Sequence, residues 1–106
     1  MPTRVEFTGS KAVIELYVLE GGECPADEYL QSLDGKSRQK VDTLFALMAQ
    51  HGQIRNKEQF KKLEGCDGIF EFKRHQIRLL CFCGKGRPQH WVITHGVTKK
   101  QDKHAT

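Results

Sequence analysis

No apolar run in this chain approaches the ~20 residues needed to span a bilayer, and the opening MPTRVEFTGSK has no signal-peptide core. Neither a membrane helix nor a secretory leader is expected, and the reading is a cytoplasmic protein. Cysteine is sparse and has no secretory context: Cys24, Cys66, Cys81 and Cys83. In a reducing compartment they stay thiols. None of them forms the Cys-x-x-Cys knuckle of a zinc site. Cys81 and Cys83 lie two apart on an expected strand, on one face with Leu79, where small buried hydrophobes fit better than ligands. No metal and no cofactor is expected. Repeats, low-complexity runs and linkers are also missing, so residues 1–106 read as one domain. With 38% apolar and 28% charged residues, the composition is that of a soluble globular protein, too mixed for disorder.

What is present is unevenly placed. Residues 1–54 hold five Lys and Arg against eight Asp and Glu; residues 55–106 hold twelve against five. Such asymmetry favours a nucleic acid or another polyanion as partner, or else marks a solvated basic surface.

Apolar residues alternate over Arg4–Thr8 and Lys11–Leu19, and Gly9-Ser10 between them predicts a hairpin. Cys24-Pro25 then opens a helix, with proline at its first position, Asp27 and Glu28 in its first turn, and Tyr29, Leu30 and Leu33 on its inner side. Asp34 is placed to cap a second helix, where Val41, Leu44, Phe45 and Met48 fall at helical spacing and His51-Gly52 closes the run. A short helix over Lys57–Leu63 is expected next. Three strands follow: Ile69–Arg74, Ile77–Cys83 and Gln89–His95. The expected fold is α+β, a helical hairpin covering one face of an antiparallel sheet in the order ββααβββ.

The last three strands carry Glu71, Lys73, Arg78 and His95 among their apolar residues. The simplest pairing buries Phe70, Phe72, Leu79 and Cys81 under the helices and turns Glu71, Lys73 and Arg78 outward together. A rigid sheet presenting cations in this way is a platform for a polyanion.

At these residues the sequence resembles the phage-derived, HigB-like branch of the RelE/ParE superfamily, the toxins of type II toxin–antitoxin pairs. CPADEYLQSLDGKSRQKVDTLFALMAQHG is similar to that branch's helical segment, and KKLEG to its K-x-L-x-G lead-in. IFEFKRHQIRLLCF resembles its polar strand pair, and ITHGVTKKQDK its closing segment. Lys73 stands where those relatives have arginine, and Val97 where they have phenylalanine. The resemblance implies a RelE-like fold and a ribosome-associated endoribonuclease acting on mRNA. It also implies a helix-turn-helix antitoxin of the HigA type as partner, in a toxin–antitoxin hetero-oligomer, with no membrane involved. A ParE-like gyrase inhibitor and an inactive antitoxin-binding relative are the alternatives.

The implied reaction is attack of a ribose 2′-hydroxyl on the adjacent phosphate. It needs a base, cations for the developing charge and an acid for the leaving oxygen. Arg78 would hold the phosphate, with Lys73 beside it, Glu71 as base and His95 as acid. Lys62, Arg74, Lys99 and Lys100 would grip the RNA backbone. Each also has a structural reading: a cross-strand ion pair for Glu71, a backbone-bonded ring for His95, a solvated end for Lys99-Lys100.

Overall fold

A computed structural model describes residues 2–84, 86, 87 and 89–99. β1 (Thr3–Thr8) and β2 (Val13–Tyr17) form the expected antiparallel hairpin. β2 starts later than its apolar pattern suggests. The N–H groups of Lys11 and Ala12 both donate to the Ala49 carbonyl at the end of the second helix, at 2.8 and 2.9 Å, instead of to β1. α1 (Pro25–Ser32) opens on its proline and buries Ala26 and Leu30. α2 (Gly35–His51) begins where the Asp34 carboxylate accepts the Ser37 N–H at 2.7 Å, and that bond holds the Asp34 carboxyl below its ordinary range. It stops at Gly52, whose φ of 77° suits a residue without Cβ.

The short helix expected over Lys57–Leu63 is not formed. Asn56–Gln59 make a turn, in which the Asn56 side chain accepts the Glu58 N–H at 2.9 Å, and Phe60–Lys62 is a strand, β3. Phe60 and Leu63 have helical spacing, but the edge of the next strand supplies backbone partners that a single isolated turn lacks. β4 (Ile69–Arg74) and β5 (Ile77–Cys83) have the expected bounds, and β6 runs His90–Thr98.

The six strands lie in the order β1-β2-β6-β5-β4-β3. The α+β class stands and both helices cover one face, but the sheet is mixed: β2 and β6 pair in parallel, and β3 adds a strand to the expected order. Under the helices, Ile14, Leu16, Phe72, Leu79, Cys81 and Ile93 pack against Leu30, Val41, Phe45 and Met48. The Phe45 ring meets Phe72 edge-on at 5.4 Å. Burial pushes the Cys81 thiol far up, and it behaves as a small hydrophobe in this core. Among the described residues no helix is long and apolar enough to cross a membrane.

One irregularity decides what the uncovered face carries. Cys81 pairs with Ile93 but Leu80 pairs with His95, so Thr94 is an extra residue in β6. Strict alternation would send His95 to the helical side with Trp91 and Ile93; the bulge reverses that parity. His95 then lies on the open face, and Gly96 turns to the covered one. There the Tyr29 ring of α1 packs so closely that a Cβ on Gly96 would clash with it. Tyr29 is held over the strand by a 2.8 Å hydrogen bond between its hydroxyl and that of Thr98.

Candidate functional site

Cross-strand pairing sets the site out in rows. Lys73, Arg78 and Val97 stand opposite one another on β4, β5 and β6, and Lys61, Glu71, Leu80 and His95 form the next row. Glu71, Lys73, Arg78 and His95 therefore share the uncovered face. With strands about 4.8 Å apart, Glu71 and His95 are separated by about 10 Å, with Leu80 between them. Glu71 is only 8% exposed, while His95 is open to solvent. Thr94, the bulged residue, donates its hydroxyl to the Leu80 carbonyl at 3.2 Å, and its oxygen lies 3.0 Å from His95 Nδ1. The ring is thus oriented by the bulge that aims it.

At the β4–β5 hairpin the sheet ends in a cleft of about 430 Å³ lined by Lys73, Arg74, His75, Arg78 and the turn residues Asn56, Glu58 and Gln59. The Lys73 N–H donates to the Gln59 carbonyl at 2.8 Å, which ties that turn against β4. Arg78 Nη1 donates to the carbonyls of His75 at 2.5 Å and Ile77 at 3.0 Å. Only one guanidinium nitrogen is used, so the side chain is fixed while donors remain for a ligand. His75 has a φ of 54°, a left-handed conformation that residues with a Cβ adopt at a cost. Arg74 turns to the helical side, where it also borders a smaller cavity with Lys40 and Gln59, and its buried Nε has no hydrogen-bond partner.

No ion pair among the described residues involves Lys73, Arg74 or Arg78. Among the described residues that line the cleft, Glu58 is the one carboxylate against Lys73, Arg74 and Arg78, so the lining is net cationic. Lys99 follows β6 at the same end, its N–H bonded to the Gln76 carbonyl at 2.7 Å. Lys62 lies elsewhere. It pairs with Phe70 on the helical side of the edge strand, because β3 is a strand and alternation sends Lys61, not Lys62, to the open face. Lys100 lies outside the described residues.

Sequence reasoning passed over His75, which read only as part of a turn, and the Asn56–Gln59 turn, most of which fell in the expected Lys57–Leu63 helix. It also passed over a second polar cluster. Glu15, between Ile14 and Leu16 on the β2–β6 seam, is 2% exposed. Its carboxylate hydrogen-bonds the Thr3 hydroxyl at 2.5 Å and His90 Nδ1 at 2.6 Å, and it forms an ion pair with Arg87 Nη2 at 3.1 Å. Burial pushes the Glu15 carboxyl up, but these donors pull it down further, and its pKa lies below the ordinary carboxylate range. A glutamate amid apolar strand neighbours was the available signal. Among the described residues, no three His, Cys, Asp or Glu side chains form a metal-ligating group.

A mixed sheet, helices on one face and a cationic cleft at a hairpin define an α+β fold of the RelE-like type. One chain of the toxin–antitoxin complex RelBE2 from Mycobacterium tuberculosis has this fold, with a TM-score of 0.53, 19% identity, and 73% of this chain and 85% of that chain covered. The description "phage derived protein Gp49-like (DUF891)" belongs to a family whose profile matches residues 28–106, well over half the chain. The chain belongs to that family. No protein with a curated description matches it.

Proposed function

We propose that this protein is the toxin of a type II toxin–antitoxin pair and a metal-independent, ribosome-associated endoribonuclease acting on mRNA. The observation that carries this reading is the cleft at the β4–β5 hairpin. There Lys73, Arg74 and Arg78 converge without an acidic partner among the described residues, beside a face that carries Glu71 and His95. The fold shared with a chain of the RelBE2 complex and membership of a phage-derived family support the toxin assignment.

In the reaction the ribose 2′-oxygen attacks phosphorus, the O2′–P bond forms and the P–O5′ bond breaks. Glu71 takes the hydroxyl proton and His95 gives one to the departing 5′-oxygen, leaving a 2′,3′-cyclic phosphate and a 5′-hydroxyl. The row geometry suits this division, with acid and base flanking a linkage that lies over Leu80. Arg78, held by two carbonyls, offers its remaining donors to the phosphoryl oxygens, and Lys73 opposite it neutralises the charge that develops. Lysine lacks the bidentate fork, so Arg78 has the directional role and Lys73 the electrostatic one. Arg74 and Lys99 extend the positive surface along the backbone. Lys62, outside the cleft, and Lys100, outside the described residues, are assigned to RNA contact.

The partner is a helix-turn-helix antitoxin of the HigA type, whose acidic or helical segment covers the cationic cleft in a hetero-oligomer. Induced expression followed by mapping of 5′ ends on cellular transcripts tests the reading. New 5′-hydroxyl ends and growth arrest are expected. Arrest with intact transcripts and trapped gyrase–DNA complexes would instead place the protein with the ParE-like inhibitors, and no arrest would leave an antitoxin-binding relative.

A further inference from the structure

The turn that borders the cationic cleft also borders a second one. Asn56, Glu58 and Gln59 face the first; Arg55 and Lys57 face the second, a cavity of about 370 Å³ at the β3 edge of the sheet. Its floor holds Phe60 and Phe70, whose rings are parallel within 3° at 5.4 Å between centroids. Lys61 and Lys62 stand with Arg55 and Lys57 around these rings, against the single carboxylate of Glu64. The chemistry of the reaction has no use for an aromatic floor, and the volume falls within the ~300–1,000 Å³ of ordinary small-ligand sites.

We propose that this second cleft binds one unstacked nucleobase of single-stranded RNA, with the neighbouring phosphates held by Arg55, Lys57, Lys61 and Lys62. That the RNA is a message rests on the ribonuclease reading; the base site itself does not. A stacked pair of aromatic rings rimmed by cations matches a base, which can continue the stack, and its flanking phosphates. Paired bases of a duplex have their faces covered by stacking and cannot reach such a floor. An acidic peptide adding a strand to the sheet is the poorer fit, because β3 has three residues and two of them are lysines. The strand would pass from the reacting linkage around the Asn56–Gln59 turn, so the two clefts hold nearby segments of one polymer.

Trp91, the one tryptophan of the chain, stands edge-on to both Phe60 and Phe70 at 5.2 Å and reports on the floor. The test titrates the full-length protein with a short 2′-O-methyl RNA, which lacks the attacking hydroxyl and is not cut. A matched oligomer with abasic positions and an acidic peptide of equal charge serve as comparisons. Saturable change in Trp91 emission is expected with the RNA, and about tenfold weaker binding without that change for the abasic oligomer. Phe70→Leu should reproduce the abasic loss. The surface variant Lys57→Ala/Lys62→Ala keeps the fold and should weaken binding with a shallower salt dependence.

Equal affinity for the abasic oligomer, or tighter binding of the peptide, overturns the base site. Arg78→Ala separates the two readings: it should abolish cleavage of unmodified RNA and leave the Trp91 response intact. A base-dependent response in a protein that cuts no RNA sinks the ribonuclease reading alone. Cleavage with no such response sinks the base site alone.

Discussion

At the β2–β6 seam, Glu15 is surrounded by Thr3, Arg87 and His90, and the local charges are satisfied within the protein. At the β4–β5 hairpin, Lys73, Arg74 and Arg78 have no acidic partner among the described residues, and the Arg74 Nε is buried with nothing to donate to. Both clusters belong to one small sheet, yet the first is closed and the second open. A buried carboxylate with two hydrogen bonds and an ion pair is a structural seam, costly to break from either side. Cations gathered without counter-charge repel one another, an arrangement that a polyanion would relieve.

The comparison is broken most severely by removing the open cations. Arg78→Ala with Lys73→Ala should lower the RNA cleavage rate by about 10²–10³-fold or more, since each donor to a developing oxyanion is worth about that much. Thermal stability should stay close to that of the parent. If growth arrest and transcript cleavage survive in this double variant, the catalytic assignment is wrong. Next in size is Glu15→Ala, which leaves His90 and Arg87 without their acceptor. A loss of about 1–3 kcal/mol is expected in denaturant unfolding, with cleavage per folded molecule unchanged. Loss of cleavage without loss of stability would move the seam into the functional site.

Acid sharpens the same contrast. The folded-state pKa of Glu15 is depressed, so its contribution is present above the unfolded value of about 4.3 and fades as pH falls through the folded value. The melting temperature should therefore drop below about pH 4.3, and drop less steeply in Glu15→Gln. A parallel decline in both proteins would show that other carboxylates dominate. The smallest effect is expected at the helix surface. Arg38 bridges Glu6 at 2.6 Å and Asp42 at 3.1 Å, half-open to solvent, and Arg38→Ala should cost about 0.2–1 kcal/mol by the same unfolding measurement.

Much of the fold was legible locally. The Asp34 cap, the Gly52 stop, the α2 stripe and the bounds of β4 and β5 all follow from neighbours within a few residues of each other. The face shared by Glu71, Lys73 and Arg78 follows from a tight hairpin, whose register leaves one choice. What escaped depends on distant partners. The spacing of Phe60 and Leu63 fits a helical turn until β4 is there to pair with, and the side of Lys62 changes with that assignment. His95 reaches the open face only through the extra residue at Thr94, which no alternation rule announces. Glu15 drew no reading of its own because Thr3, Arg87 and His90 meet it from other parts of the chain.

The parallel seam also governs how the protein can come into being. Val13 must find His90 before β1 and β2 are joined to the other four strands. Such a closure between remote segments is slow compared with the local hairpins. During synthesis the N-terminal hairpin waits, one edge bare, until β6 emerges, and only then does His95 take its place beside the hairpin cations. The open face that carries Glu71, Lys73, Arg78 and His95 is therefore complete only once nearly all of the described sheet has been made.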